Sequence, residues 1–221
     1  MKKIFYMFVM LLAATAGACL QTACEDYESV DTNVHVGDIL FSDYTTMNID
    51  RYVLDSFSQV TRTPIGVVFA EPTATRPMLA VLLKEPDLSR CQFSDSLGQS
   101  IGANTALDSC NGKANTVAMY DSKLSPLADE LFRFQGGSSS YIPSVAEMRL
   151  LVANIGKVNT VINELGGDIV NMGTDCWYWT STEVEGNEGN QAWTCSAVNG
   201  ALQPTPKDEV HRCRAIVEVN R

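Results

Sequence analysis

The apolar periodicity of this chain changes twice, and that change limits the fold more than any single motif. In the first third, Ile65–Ala70 is a β-branched apolar run bounded by Pro64 and Pro72, the pattern of a buried strand. Met78–Leu83 is a second such run, and Val34, Val36, Ile39 and Phe41 alternate as a short half-buried strand would. In the middle, Val117, Met119, Tyr120, Leu124, Leu127, Leu131 and Phe134 recur at helical spacing, with Pro126 opening a second helical stretch. Gln135–Ser140 breaks the chain, and Ser144 with Glu147 then forms a capping-box sequence. Met148, Leu151, Val152 and Ile155 make the stripe of the helix it starts, and Gly156 stops that helix. Val158, Val161, Ile162 and Leu165 make another, closed by Gly166 and Gly167. The last fifty or so residues return to β-type segments at Trp177–Ser181, Ala192–Ser196 and Ala215–Val219. Strands, then helices, then strands predict an α+β domain with antiparallel strands and two to four helices.

The N-terminus reads as an export signal. Lys2 and Lys3 precede an apolar run from Ile4 to Ala18 that is too short to span a bilayer and ends in small residues. Two cysteines follow small residues, Cys19 after Ala18 and Cys24 after Ala23, and either suits the acylated cysteine of a bacterial lipoprotein. Cys24 is preferred because Glu25-Asp26-Tyr27-Glu28 follows it, resembling the acidic tract of surface-exported lipoproteins of Gram-negative bacteria. The expected organisation is a signal peptide over 1–23, an acidic tether over 24–33 and one domain over 34–221. That places the domain at the outer membrane or cell surface through a lipid anchor, or otherwise in the periplasm or medium. With Cys19 removed and Cys24 acylated, five of the seven cysteines remain, an odd number. Cys91 and Cys110 bracket a polar loop and are the candidate disulfide; Cys176, Cys195 and Cys213 offer no unique pairing.

Charge and composition exclude several functions. A formal net charge of -10 opposes binding to a phosphate backbone, so no nucleic-acid partner is expected. His35 and His211 are the only histidines, there is no Gly-rich phosphate cradle, and no close pair of ligands marks a zinc site. Ser181 lacks a histidine and orienting carboxylate that sequence alone would place beside it. Cys176 and Cys195 invite comparison with copper-dependent formylglycine-generating oxidases, but the surroundings of those thiols are not recognisable here.

The most suggestive cluster is Glu183, Glu185, Asn187, Glu188 and Asn190, in a loop carrying Gly186 and Gly189. Glu183 adjoins a strand and is read as structural. Glu185, Asn187, Glu188 and Asn190 are the ligand-binding candidates, since short polar side chains on a Gly-permitted turn present donors and acceptors freely. Their oxygens also suit calcium; no other cofactor is called for.

Tyr141-Ile142-Pro143-Ser144-Val145-Ala146-Glu147-Met148 resembles the "LPS-x-x-EL" signature of the Fibrobacter major paralogous domain family. Trp179-Thr180-Ser181-Thr182-Glu183 resembles its "W-S-S-T-E" segment, Ala192-Trp193 its "A-W", and Val210–Ala215 its closing "V-R-x-V-R" strand. Val36–Asp43 and Pro64–Phe69 resemble its "VGD" and "IGVVF" opening. Ile142 stands for Leu, Thr180 for Ser, and His211 departs from the usual spacing. The resemblance implies a C-type lectin-like fold, related to sulfatase-modifying factors, in which Trp179, Trp193, Ser144 and Glu147 are structural and Trp179 packs on the helix begun at Ser144. It implies no chemistry. The expected function is a lipid-anchored, adhesin-like surface protein that binds an extracellular glycan or protein through loops 183–191 and 199–209. The alternatives are an extracytoplasmic oxidase or hydrolase on the same fold, and a variable target-binding protein of a diversity-generating retroelement. Contact with the membrane is expected through the anchor only.

Overall fold

The computed structural model describes residues 33–85, 91–135 and 139–220. The residues expected to form the signal peptide and tether, with Cys19 and Cys24, lie outside the described residues, Asn33 excepted. From Val34 onward the chain forms one compact unit, Val34–Arg221. Its architecture is α+β with antiparallel sheets.

A five-stranded sheet has the order β10-β4-β3-β1-β2, built from β1 (Ile39–Phe41), β2 (Thr46–Met47), β3 (Pro64–Ala70), β4 (Met78–Leu82) and β10 (Ile216–Val219). Register aligns Ile39 with Val67, Val67 with Val81 and Val81 with Ile216, so these four residues share one face. That face meets helices α5 (Val145–Ala153) and α6 (Ile155–Glu164) through Met148, Leu151, Val158 and Ile162, all fully buried. The alternate residues Leu40, Val68, Met78, Ala80 and Val217 form a separate apolar cluster on the other face, joined by Val34.

A three-stranded sheet, β6-β7-β8, comprises β6 (Trp177–Glu183), β7 (Gln191–Ser196) and β8 (Leu202–Pro206). A short ribbon pairs β5 (Cys91–Gln92) with β9 (Val210–His211). Helices α3 (Gly112–Ser122) and α4 (Pro126–Gln135) close a second core around Trp179, with Phe93, Met119, Leu127, Leu131 and Ile142. Trp179 is fully buried, donates from Nε1 to the Cys91 carbonyl at 2.9 Å, and tilts against Phe93 with centroids 5.4 Å apart. Its apolar cluster joins Phe93, Ile142 and Ala192 to residues of α3 and α4; the neighbouring Tyr178 belongs to the cluster that holds α5 and α6. The expected packing on the helix begun at Ser144 is thus taken by Tyr178, because adjacent strand residues point to opposite faces. Trp193 is half-buried.

Two expectations are corrected. Six helices occur among the described residues rather than two to four, since α1 (Ile49–Leu54) and α2 (Ser56–Thr61) form where no sustained period is visible. The segment read as a Pro-rich loop over 199–209 contains β8. Pro204 and Pro206 are tolerated there because β8 is an edge strand with one neighbour.

Candidate functional site

The β6–β7 hairpin carries the acidic loop. Val184 N–H donates to the Gln191 carbonyl at 3.1 Å and Asn187 N–H to the Val184 carbonyl at 2.9 Å, closing the turn. Gly186 takes φ +78, a left-handed conformation that suits glycine. The amides expected at the tip are engaged within the loop. Asn187 Nδ2 donates to Gln191 Oε1 at 2.8 Å, and Asn190 Nδ2 donates to Asn187 Oδ1 at 3.0 Å. Asn190 Oδ1 accepts from Gly98 N–H at 3.2 Å, fastening the loop to a second segment. Glu188 accepts from Gly186 N–H at 2.9 Å; backbone donors, its own and that of Gly186, hold its carboxyl below the ordinary range. Glu185 is exposed and none of these bonds involves it.

Beneath the loop, Glu183 and Lys207 form an ion pair with both side chains fully buried. Glu183 also accepts from Ile101 N–H at 2.9 Å and from Ser100 Oγ at 2.8 Å. Lys207 reaches the Gln99 carbonyl at 3.4 Å, and its backbone N–H donates to the Asn190 carbonyl at 2.9 Å. The end of β6, the 99–101 segment and the end of β8 therefore converge on one charge pair. A buried pair of this kind tolerates no loss of either partner. The sequence marked Glu183 as structural; Lys207, its counter-ion, carried no local signal.

The loops expected to form one surface do so only in part. The β6–β7 loop and residues 207–209 sit at one end of the three-stranded sheet, where Gln191 pairs with Pro206. The β7–β8 turn, with Asn199, lies at the other end, beyond the Cys195–Leu202 pair. There Val198, Asn199 and Gly200 line a shallow hollow with Arg149 and Val152 of α5.

Ser144 and Glu147 form the expected capping box: Ser144 Oγ accepts from Glu147 N–H at 3.4 Å, and Glu147 Oε2 accepts from Ser144 N–H at 2.7 Å. Glu147 does more than cap. It is buried, and it also accepts from Gly112 N–H at 3.1 Å and Tyr141 O–H at 3.0 Å. Burial pushes its carboxyl above the ordinary range despite these donors. Arg212 bridges Asp175 at 2.7 Å and Glu85 at 2.9 Å. Arg214, fully buried, donates to the Leu82 and Asp168 carbonyls. These arginines pin the closing strand to its neighbours.

No reactive constellation assembles around the remaining candidates. Ser181 Oγ has Asn115 Nδ2 at 3.5 Å, whereas His35 lies against Glu71 and His211 against Glu209 and the Trp179 ring. Burial pushes the Cys195 thiol up to about 11 and raises Cys213 as well, so both are protonated and unreactive at neutral pH. Cys91 and Cys110, the candidate disulfide, are placed apart: Cys91 on β5 near Cys213, Cys110 exposed at the head of α3 near Glu147 and Arg76. Among the described residues no group of three His, Cys, Asp or Glu side chains is arranged to hold a metal ion. Among them, too, no helix is long and apolar enough to cross a membrane. Set against known families and curated proteins, the chain matches no family and no curated protein.

Proposed function

We propose that the chain is a lipid-anchored, adhesin-like protein of the bacterial cell surface, whose C-type lectin-like domain binds an extracellular glycan or protein through the β6–β7 loop. One observation carries this reading: the loop is both exposed and rigidly braced, from within by its own amides and from beneath by the buried Glu183–Lys207 pair. Recognition gains most from groups held in place before the partner arrives. Glu185 is the outward-facing carboxylate on that platform, and Glu188 is oriented beside it. Asn187 and Asn190 serve the site by shaping it, with their outer lone pairs and edges left for the partner. No calcium cage is needed for this arrangement.

The test is a glycan and protein array probed with the processed chain and with Glu185→Ala, each with and without calcium. Loss of a specific signal in the variant, at an unchanged melting temperature, supports the loop as the recognition surface. A signal that survives the substitution moves the site elsewhere. The anchor is tested separately by acyl labelling: Cys24→Ser should abolish it, and loss with Cys19→Ser alone would transfer the anchor to Cys19.

A further inference from the structure

The described residues carry a run of strongly exposed apolar side chains that the binding loop does not use. Helices α1 and α2 form a short hairpin beside the sheet edge, and α1 buries no residue while α2 buries only Ser58. Val53, Leu54, Phe57 and Val60 are 60%, 87%, 73% and 82% exposed. All four stand out into solvent from a thirteen-residue segment, 49–61. This is not an unfinished piece of core. Asn48 caps α1 by accepting from Asp50 N–H at 2.9 Å, and Asp55 caps α2 by accepting from Ser58 N–H at 3.1 Å. Gln59 Nε2 ties the helices together through the Tyr52 and Val53 carbonyls, at 3.0 and 2.8 Å. On the inner side Tyr52 packs on Phe41 at 5.6 Å, and Arg62 lies 4.0 Å over the same ring. A folded, capped and braced pair thus holds four large apolar side chains in water.

We infer that α1–α2 is a second, non-covalent membrane contact, with Val53, Leu54, Phe57 and Val60 set into the headgroup–acyl boundary of the bilayer that carries the anchor. This inference rests on the lipid-anchor reading. Two arguments select a lipid surface as the occupant. From Cys24 to Asn33 there are ten residues, nine steps along the chain that reach at most about 32 Å when extended. Such a tether keeps the domain within roughly its own diameter of the bilayer, so lipid is the apolar partner at by far the highest local concentration. The second argument is charge. Residues 49–62 hold Asp50 and Asp55 against Arg51 and Arg62, Arg62 being turned inward over Phe41 and paired with Asp43, so the segment carries little of the chain's net charge of -10. Such a segment meets less repulsion from an anionic membrane than the strongly acidic chain as a whole would. Interfacial helices of this kind bury their apolar side about 5–10 Å into the boundary region, and two weak attachments together hold a domain far better than one.

The experiment uses the processed lipoprotein reconstituted into phosphatidylethanolamine–phosphatidylglycerol vesicles containing acyl-chain-brominated phosphatidylcholine. Phe57→Trp adds an indole at an exposed position, and its emission is read as the difference from the parent. At the expected depth, brominated chains should quench the added emission, and Leu54→Glu in the same chain should restore it at an unchanged melting temperature. Acyl labelling and vesicle flotation report the anchor independently. If both are intact and the added indole is unquenched, the inference is overturned. It is equally overturned if the indole is shielded only where the protein self-associates with concentration, because the face then covers a second copy. If labelling and flotation fail, the anchor reading falls. The soluble chain titrated with the same vesicles then decides: quenching at high lipid keeps the apolar contact, and none removes it.

Discussion

Gly112, the first residue of α3, lies directly against the carboxylate of Glu147: a Cβ at this glycine would stand 2.2 Å from Glu147 Oε2 and 2.7 Å from the Ile142 carbonyl. The close approach is what lets Gly112 N–H reach that carboxylate at 3.1 Å. One buried acid therefore caps α5, receives the first N–H of α3 and accepts the Tyr141 hydroxyl. The side chain that a local motif marks as a helix cap is the joint of two helices and a strand bridge.

Gly112→Ala should accordingly be costly. The methyl forces apart groups fixed by backbone, and the N–H···Oε2 bond is lost with the shift. A destabilisation of about 2–4 kcal/mol is expected from overpacking together with one broken buried hydrogen bond. Urea denaturation measures it, and a midpoint equal to that of the parent would show that α3 can move away freely.

Glu147→Gln should change how stability depends on pH. Burial raises the Glu147 carboxyl above its ordinary value of 4.5, so the folded chain holds this proton more tightly than the unfolded chain does. The corresponding stabilisation is fully present below the ordinary value and is lost as pH rises through the raised folded one. Glutamine keeps an acceptor for Gly112 and Ser144 but does not titrate. Urea midpoints taken from about pH 4 to about pH 8 should fall further for the parent than for the variant. Glu85, also raised by burial, is common to both chains and cancels in the comparison. Parallel curves would mean that Glu147 does not contribute to the pH dependence.

Lys207→Met isolates the buried pair. It leaves Glu183 charged, fully buried and without its counter-ion, a change that costs about 3–5 kcal/mol. Adding Glu183→Gln should recover part of the loss, because the amide oxygen still accepts from Ile101 N–H and no charge is stranded. Thermal melts of the two single variants and the double variant form the cycle. A Lys207→Met chain that melts like the parent would remove the ion pair as the brace of the binding loop.

What the sequence made legible was whatever rests on neighbours in the chain. The Ser144–Glu147 cap, the Pro64–Ala70 strand and the helix that Gly166 ends all depend on residues within one turn or one strand. Lys207 is the opposite case: an isolated lysine in a polar stretch, it becomes fully buried only because Gln99, Phe93 and Glu183 arrive from distant segments. The hairpin of α1 and α2 escaped notice for another reason. Each helix is six residues long, too short to show a period, and both are held by caps and by Gln59 rather than by an apolar stripe. β8 was hidden by its prolines, whose acceptability depends on the strand lying at an edge, which is a property of the sheet. The acidic loop was visible as a loop. That its amides point at one another was not, because hydrogen-bond partners at a turn follow from its backbone conformation.

The amide network fixes which substitutions probe binding cleanly. Asn187 and Asn190 both donate within the loop, and Asn190 also anchors Gly98, so replacing the pair with Ala removes three side-chain hydrogen bonds. At about 1 kcal/mol for a typical bond, and less where water can substitute, the double variant should lose roughly 1–2 kcal/mol of stability. Its binding defect would then mix a misshapen loop with missing contacts. Glu185→Ala breaks none of these bonds, and its melting temperature should match that of the parent. Differential scanning calorimetry of the two variants separates the cases: a lowered transition for Asn187→Ala/Asn190→Ala beside an unchanged one for Glu185→Ala is expected. The reverse order would assign the shape of the loop to Glu185 and return both asparagines to the partner-facing surface.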